Sequence, residues 1–124
     1  MIALDYFYRD ADGNKSWGKA VFGNKQRLSL GVVDRALRYC MIGGQFIASQ
    51  VKIEEVFFET VIPGDSCWHE YWAVRSTSNP INDPDERDIN QVIMDFRFAA
   101  NTGWEEFQRS PSKEAYGLYQ TAMV

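Results

Sequence analysis

Alternation of side-chain type over the first 22 residues constrains this chain more than any other feature. Apolar or aromatic residues recur at every second position from Ile2 to Tyr8, and side-chain type alternates again where Trp17, Lys19 and Val21 interleave with Gly18, Ala20 and Phe22. A period of two residues is typical of a β-strand. Between the two runs, Asp12-Gly13-Asn14 tolerates the backbone conformations of a tight return. The sequence therefore predicts a β-hairpin over residues 1–23.

A helix is predicted next. Ser29 follows a polar stretch and can accept a hydrogen bond from the free backbone N–H groups at a helix start. Apolar positions then recur at intervals of three and four residues, and Gly43-Gly44 favours the conformation in which helices end. These signals bound a helix of about 13 residues. Its predicted buried face consists of Val33, Leu37, Cys40 and Met41.

Two further helices are predicted in the C-terminal part. Asp85 or Asp88 can cap a helix that ends near Gly103. A third helix is predicted to begin at Ser110-Pro111, because proline is favoured in the first turn. The predicted buried face of the second helix consists of Ile89, Val92, Ile93, Phe96 and Ala100.

Residues 45–75 have the composition of β-structure. Residues 56–62 are rich in β-branched and aromatic types, residues 67–74 alternate, and Pro63-Gly64-Asp65 between them favours a turn. We therefore expect a second antiparallel hairpin. Phe46-Ile47-Ala48 is too short to assign. The polar residues 76–86 are predicted to form an exposed loop.

The predicted order of elements, β-β-α-β-β-α-α, lies within 124 residues, a length that suits one domain. It indicates an α+β fold over 1–124, in which an antiparallel sheet of four to five strands has two to three helices packed on one face. The other face would carry unusual aromatic surface, which predicts cover by long loops or by another subunit, as in a homodimer or higher homo-oligomer. The aromatic residues concerned are Tyr6, Tyr8, Trp17, Trp68, Tyr71 and Trp72.

Composition disfavours several classes of function. The formal charge of −4 argues against a surface that holds DNA or RNA backbone. No apolar run approaches the roughly 20 residues that span a bilayer, and the first residues lack the pattern of a signal peptide. We expect a cytoplasmic protein, in a bacterium or in the host of a phage, with no membrane partner. Cys40 and Cys67 are expected to be buried thiols, because a metal site with His69 would need more ligands at short spacing.

Motifs for catalysis are weak. His69 and Glu70 are adjacent in a predicted strand, so their side chains point to opposite faces and cannot readily act together. No nucleophile elbow, dinucleotide fingerprint or phosphate-binding loop occurs. Asp10, Asp12 and Asn14 have the spacing of the first calcium-loop ligands, but later positions do not match and a hairpin turn explains them. We therefore expect a protein that is not an enzyme and that holds no cofactor and no metal.

Basic and aromatic residues interleave in the C-terminal third. Arginine binds phosphate through paired hydrogen bonds and aromatic faces stack on purine rings, so the cluster favours a small nucleotide pocket. The alternative is local pairing on helix surfaces, of Arg97 with Asn101 and of Arg109 with Glu105. The cluster consists of Arg97, Arg109, Lys113, Phe98, Trp104 and Phe107, together with Arg75 just before the loop.

Several short motifs, spread over most of the chain, resemble a known family. They are Tyr8-Arg9-Asp10-Ala11, Lys15, the segment from Gly18 to Phe22, and Trp68-His69-Glu70. Together with the Ser-initiated helix, they resemble small single-domain proteins of phages and prophages, and among these the Thoeris anti-defence family, type one. The resemblance implies a non-enzymatic protein that sequesters a cyclic ADP-ribose isomer made by a host immune enzyme.

The resemblance also implies homodimers with ligand pockets near the subunit interface. On this basis Arg109 would contact a pyrophosphate, and Lys113 would stand where a second basic residue, often arginine, is expected. Lysine there weakens a bidentate contact. Phe98 would stack on the ligand and Asn90 would contact its edge. Arg75, from the basic and aromatic cluster, completes the predicted binding set.

Two other classes of function stay open. A small acidic inhibitor or immunity-type protein would block a partner protein through aromatic anchors rimmed by carboxylates. Here the rim would be Glu54, Glu55, Glu59 and residues 83–88. The third class is a small hydrolase that uses His69.

Overall fold

The computed structural model describes residues 1–110 and has the predicted α+β fold. Its elements are β1 (Ile2–Arg9), β2 (Lys15–Phe22), α1 (Leu30–Cys40), β3 (Gln45–Phe46), a 3-10 turn (Ala48–Val51), β4 (His69–Ser76) and α2 (Ile89–Thr102). The four strands form one antiparallel sheet in the order β2-β1-β4-β3. The two inner strands are therefore β1 and β4, and β2 and β3 are the edge strands.

The first hairpin is confirmed. β1 and β2 pair along their whole length, from Ile2 opposite Phe22 to Arg9 opposite Lys15. The carboxylate of Asp10 closes the turn by accepting hydrogen bonds from the N–H groups of residues 12 and 14 at 3.0 and 2.8 Å. Gly13 has φ +86°, a conformation that glycine adopts without steric cost.

The two sides of the sheet differ in what covers them. We call the inner side the one to which Leu4, Tyr6 and Tyr8 project, and the outer face the one that carries Asp5 and Phe7, because side chains alternate along a strand. Leu4 and Tyr6 share one hydrophobic core with both helices. The helical members of this core are Val33, Leu37 and Cys40 of α1 and Ile89, Val92, Ile93, Phe96 and Ala99 of α2.

Both helices begin where the sequence predicts. The Ser29 hydroxyl accepts a hydrogen bond from the Val32 N–H at 3.2 Å. The Asp88 carboxylate accepts one from the Asn90 N–H at 3.4 Å, so Asp88 rather than Asp85 caps α2. α2 is followed by Gly103, as predicted.

α1 is shorter than predicted, with 11 residues. It ends at Cys40 because the next residue, Met41, has extended backbone angles. Gly43 and Gly44 lie beyond the helix with φ +58° and +76°, in a turn where Ile42 and Gln45 exchange backbone hydrogen bonds. The two glycines therefore make the turn into β3 rather than the helix end.

The predicted second hairpin is wrong. Residues 56–62 form no strand, and the start of β4 is paired with β1 on one side and β3 on the other. In the segment before β4, the hydrogen-bond partners of several backbone groups are side chains rather than a neighbouring strand. The contacts are Tyr6 Oη to the Glu54 carbonyl at 2.6 Å, Tyr8 Oη to the Ser66 carbonyl at 2.7 Å, and the Val56 N–H to His69 Nε2 at 3.0 Å.

A buried arginine joins three segments of the chain. Arg87 donates five hydrogen bonds of 2.8–3.0 Å, to the carboxylates of Asp83 and Asp95 and to the carbonyls of Val51 and Lys52. All of its guanidinium N–H groups are thereby used. Burial by itself would raise the pKa of Asp83, but the hydrogen bonds and charge of Arg87 outweigh it and lower that pKa.

The residues after α2 are held by side chains instead of regular structure. Ser110 is not helical, and the rest of the predicted third helix, including Lys113, lies outside the described residues. The anchoring contacts are Trp104 Nε1 to the Cys40 carbonyl at 2.9 Å, the Glu105 N–H to Gln50 Oε1 at 2.9 Å, and the Phe107 N–H to Cys67 Sγ at 3.4 Å.

Candidate functional site

The outer face of the sheet carries a cluster of three aromatic rings. Phe7 of β1 lies opposite Trp17 of β2, and their ring centroids are 4.8 Å apart. Trp72 of β4 meets Trp17 edge to face, with centroids 5.7 Å apart and an interplanar angle of 89°. The two tryptophans are 53% and 59% exposed, so both leave ring surface open to a ligand.

A β-bulge brings Trp72 to this face. Asp5 pairs with Ala73, but Tyr6 pairs with Tyr71, so Trp72 is an extra residue of β4 at this point. In an unbroken ladder, Trp72 would stand opposite Tyr6 on the inner side. The bulge re-aims the side chain and leaves Tyr71 in the core instead.

Arg75 and Asp5 form a bidentate pair beside the rings. Arg75 Nε donates to Asp5 Oδ2 at 2.7 Å, and Arg75 Nη2 donates to Asp5 Oδ1 at 3.2 Å. This hydrogen bonding, more than the charge of Asp5, raises the pKa of Arg75. Asp5 occupies one edge of the guanidinium, and no other described residue bonds the Nη1 end, which therefore remains available for an anion.

The outer face is basic although the chain as a whole is acidic. Arg9 pairs with Glu70 at 2.9 Å, and Lys15 lies over the ring of Phe7 with Nζ 5.2 Å from its centroid. Lys19 stands opposite Asp5 in the hairpin register and has no ion pair within residues 1–110. The outward positions of β1, β2 and β4 hold Arg9, Lys15, Lys19 and Arg75 against Asp5 and Glu70.

Some of these groups line a shallow cavity of about 480 Å³ that is open to solvent, which we call the outer-face site. It offers indole rings, a guanidinium with free donors, and an ammonium group. This set suits a flat ring that carries an anionic group. The cavity is lined by Asp5, Trp17, Gly18, Lys19, Trp72 and Arg75.

The predicted binding residues fall in different places. Arg75 lines the outer-face site. Asn90 and Phe98 lie on α2, two turns apart, and Phe98 is 70% exposed. Residues eight apart on a helix are separated by about 80° around its axis and by about 12 Å along it. Lys113 lies outside the described residues.

Arg109 is engaged within the chain. Its guanidinium carbon lies 3.7 Å from the ring centroid of Phe57, and Nη1 donates to the Tyr8 hydroxyl at 3.1 Å. Asp65 Oδ2 is 4.0 Å from the same nitrogen. Its contact with Tyr8, on the inner side of β1, separates Arg109 from Arg75 on the outer face.

His69 lies in the core. Its Nε2 accepts a hydrogen bond from the Val56 N–H. Its buried Nδ1 makes no hydrogen bond of good geometry with a described residue, although the backbone of Cys67 lies close enough to act on the pKa of the ring. Burial lowers its pKa to about 4. The imidazole is therefore neutral at pH 7 and enclosed, an environment in which it cannot exchange protons with a surface ligand. The rings around it are those of Tyr6, Tyr8, Phe46 and Phe57.

Three of the six aromatic residues predicted for the second face of the sheet lie elsewhere. Tyr6, Tyr8 and Tyr71 are buried on the inner side, whereas Trp17 and Trp72 stand on the outer face. Trp68 lies just before β4 and meets Trp104 edge to face, with ring centroids 6.3 Å apart. The turn at Asp12-Gly13 sets the register of the hairpin. From that register, the sequence could have predicted Trp17 opposite Phe7 and Lys19 opposite Asp5. The bulge at Trp72 has no signal in the sequence.

Residues 1–110 contain neither a cluster of metal ligands nor a membrane-spanning helix. In this part of the chain, no group of three or more His, Cys, Asp and Glu side chains is placed to hold a metal ion. No helix there is long and apolar enough to cross a bilayer. Cys40 and Cys67 are buried free thiols.

Comparison with known proteins gave no relatives. No family model, no curated protein and no solved structure matches the chain.

Proposed function

We propose that this protein binds a nucleotide at the outer-face site and holds it without changing it chemically. The observation that carries the proposal is the free Nη1 end of Arg75 beside Trp17 and Trp72, at the edge of one cavity. A nucleotide combines a flat ring with phosphate. The rings and the guanidinium supply the complementary groups.

The energetic contributions fit a binding role. Stacking of a base on an aromatic side chain contributes roughly 1–3 kcal/mol. Hydrogen bonds to charged groups contribute roughly 1.5–3 kcal/mol. Asp5 holds the guanidinium in place before the ligand arrives, so less side-chain entropy is lost on binding.

The ligand that the sequence resemblance implies is a cyclic ADP-ribose isomer, and we propose that the protein sequesters such a signal in the cytosol of an infected cell. The proposal includes a homodimer, in which Asn90 and Phe98 on the exposed face of α2 are available to a second copy or to the ligand. Sequestration requires tight binding and no reacting group. The enclosed His69 is compatible with that role.

Calorimetric titration with cyclic ADP-ribose and with AMP tests the proposal. Trp72→Ala and Arg75→Gln should each weaken binding about tenfold, because they remove a stacking ring and the phosphate donors. Tyr39→Ala and Arg35→Gln are matched controls on the exposed surface of α1 and should leave the affinity unchanged. Equal losses in site and control variants, or no heat with either nucleotide, would refute the proposal.

Two further readouts separate the alternatives. If Phe98→Ala loses nucleotide binding and Trp72→Ala does not, the binding site is on α2 rather than on the outer face. After heating of the complex, mass spectrometry should recover the nucleotide with an unchanged mass. A changed mass would favour a hydrolase, and failure of all nucleotides to bind would favour an inhibitor of a partner protein.

A further inference from the structure

We infer that the nucleotide site continues over the edge of β2 into a second cavity, and that the ligand has two sugar-containing units joined through phosphate, as a cyclic ADP-ribose isomer or a dinucleotide does. The inference rests on the proposed function of the outer-face site. The observation behind it is that Lys19 lines both cavities. A ligand that spanned them would place its linker at this lysine.

The second cavity lies on the inner side of the β2 edge and has a volume of about 350 Å³. Residues 52–54 and 82–84 form its other walls. The ring of Tyr6 and the side chains of Ala20, Ile53 and Pro84 give it apolar surface. Apolar walls with few polar groups are typical of pockets that take a ring.

The polar groups of this cavity leave cationic donors unused. Both carboxylate oxygens of Asp83 accept from Arg87, and the amide of Asn82 bonds the edge of β2. Lys19 and Lys52 have no ion pair within residues 1–110, and Glu54 is the remaining carboxylate in the lining. Two lysines without an ion pair, against one remaining carboxylate, therefore favour an anionic group in this cavity.

The volumes of the two cavities indicate a ligand with two parts. Ligand pockets span roughly 300–1,000 Å³. The cavities of about 350 and 480 Å³ lie in the lower half of that range, so each has room for one nucleoside rather than for a dinucleotide. A mononucleotide would fill one cavity and leave the other empty.

The walls of the second cavity are fixed before binding. Asn82 accepts from the Val21 N–H at 2.7 Å and donates to the Lys19 carbonyl at 2.9 Å, as a neighbouring strand would. The Lys52 carbonyl accepts from Arg87 at 2.8 Å. A cavity with fixed walls loses little entropy when a ligand enters.

Titration with AMP and with pApA, the linear 5′-phosphorylated diadenylate, tests the inference. The wild-type protein should bind pApA about a hundredfold more tightly than AMP, because the second base and the linker find their own contacts. Lys52→Asn should weaken pApA binding about tenfold and leave AMP binding unchanged. Asparagine suits this position because Lys52 has φ +57°, which asparagine tolerates.

Lys25→Asn makes the same charge change on an exposed lysine outside both cavities and is the matched control. AMP binding without tighter pApA binding would overturn the two-part ligand and leave the proposed function intact. Equal losses of pApA affinity in Lys52→Asn and Lys25→Asn would likewise overturn the two-part ligand and leave the proposed function intact. Failure of both probes to bind would overturn the proposed function along with it.

Discussion

The inner side and the outer face of this sheet use aromatic residues in opposite ways. On the inner side, the hydroxyls of Tyr6, Tyr8 and Tyr71 bond to the Glu54 carbonyl, the Ser66 carbonyl and the Asp34 carboxylate at 2.6–2.7 Å. On the outer face, Trp17 and Trp72 keep more than half of their surface exposed, and their indole N–H groups bond to no described residue. Aromatic side chains therefore stabilise the fold on the inner side, whereas those on the outer face remain available for binding.

Arginine shows the same contrast. Arg87, packed beside the core, uses every guanidinium donor within the chain, whereas Arg75 on the outer face uses one edge. A side chain with all of its donors used contributes to stability, and one with donors left over can bind a ligand. The comparison therefore predicts that substitutions on the inner side lower stability, while those on the outer face lower affinity.

The largest expected effect is from Arg87→Met. It leaves the Asp83 carboxylate buried without its partner, and removing one member of a buried ion pair costs about 3–5 kcal/mol. Urea unfolding followed by circular dichroism measures the loss. Arg38→Met is the matched control, because Arg38 also pairs with an aspartate four residues away but is exposed. Equal losses in the two variants would break the comparison.

Acid should destabilise the protein through His69. Its pKa is about 4 in the folded state against the usual 6.5, so the unfolded chain binds a proton more readily between these values. The stability contributed by the neutral imidazole is therefore complete above pH 6.5 and is lost as the pH falls to about 4. The loss is up to about 3 kcal/mol.

This pH dependence can be assigned because the chain has one histidine. The difference in unfolding free energy between wild type and His69→Gln should shrink as the pH falls from 7 to 4. If this difference in unfolding free energy stays constant over the range, His69 has an ordinary pKa and is exposed to water. That result would contradict its buried position on the inner side of the sheet.

Gly18→Ala should cost about 1–3 kcal/mol of unfolding free energy. A Cβ at Gly18 would lie 2.5 Å from Cζ of Tyr6, whose ring is held by the hydrogen bond to the Glu54 carbonyl. Gly31→Ala is the control, because nothing lies within 4 Å of its Cβ position at the start of α1. There alanine should raise stability slightly. Thermal unfolding of both variants measures the difference in stability, and each variant adds only one methyl group.

Arg75→Gln should have the smallest effect on stability, with a urea midpoint close to that of the wild type. The arginine is exposed, and exposed ion pairs contribute little to folding. Its affinity for AMP should nonetheless fall about tenfold. Arg75→Lys keeps the charge but not the paired donors, so its affinity for AMP should lie between that of the wild type and that of Arg75→Gln. A large loss of stability without a loss of affinity would make Arg75 a structural residue.

Local signals predicted much of the fold. The Asp12-Gly13 turn, the Ser29 cap and the Asp88 cap each depend on a few neighbouring residues, and all three are as expected. The second hairpin could not be predicted in this way. Residues 56–62 have strand composition, but β1 and β3 already pair with the start of β4.

The site was predictable only in part. The chemistry of arginine predicts a binding role for Arg75, and Arg75 lines the outer-face site. Trp72 reaches the same site through a bulge, which depends on how β1 and β4 align. The same chemistry predicts a binding role for Arg109, but its guanidinium contacts Phe57 and Tyr8, which are far from it in the sequence and could not be predicted as partners.

By itself, the sequence determined the α+β class, the first hairpin and the helix starts, because these follow from periods and caps that act within a few residues. Only the tertiary structure decided which aromatic rings are buried and which arginine keeps free donors. The reason is physical: burial and donor saturation are set by partners such as Asp83 for Arg87 and Asp5 for Arg75, and a side chain finds such partners through the packing of the whole chain.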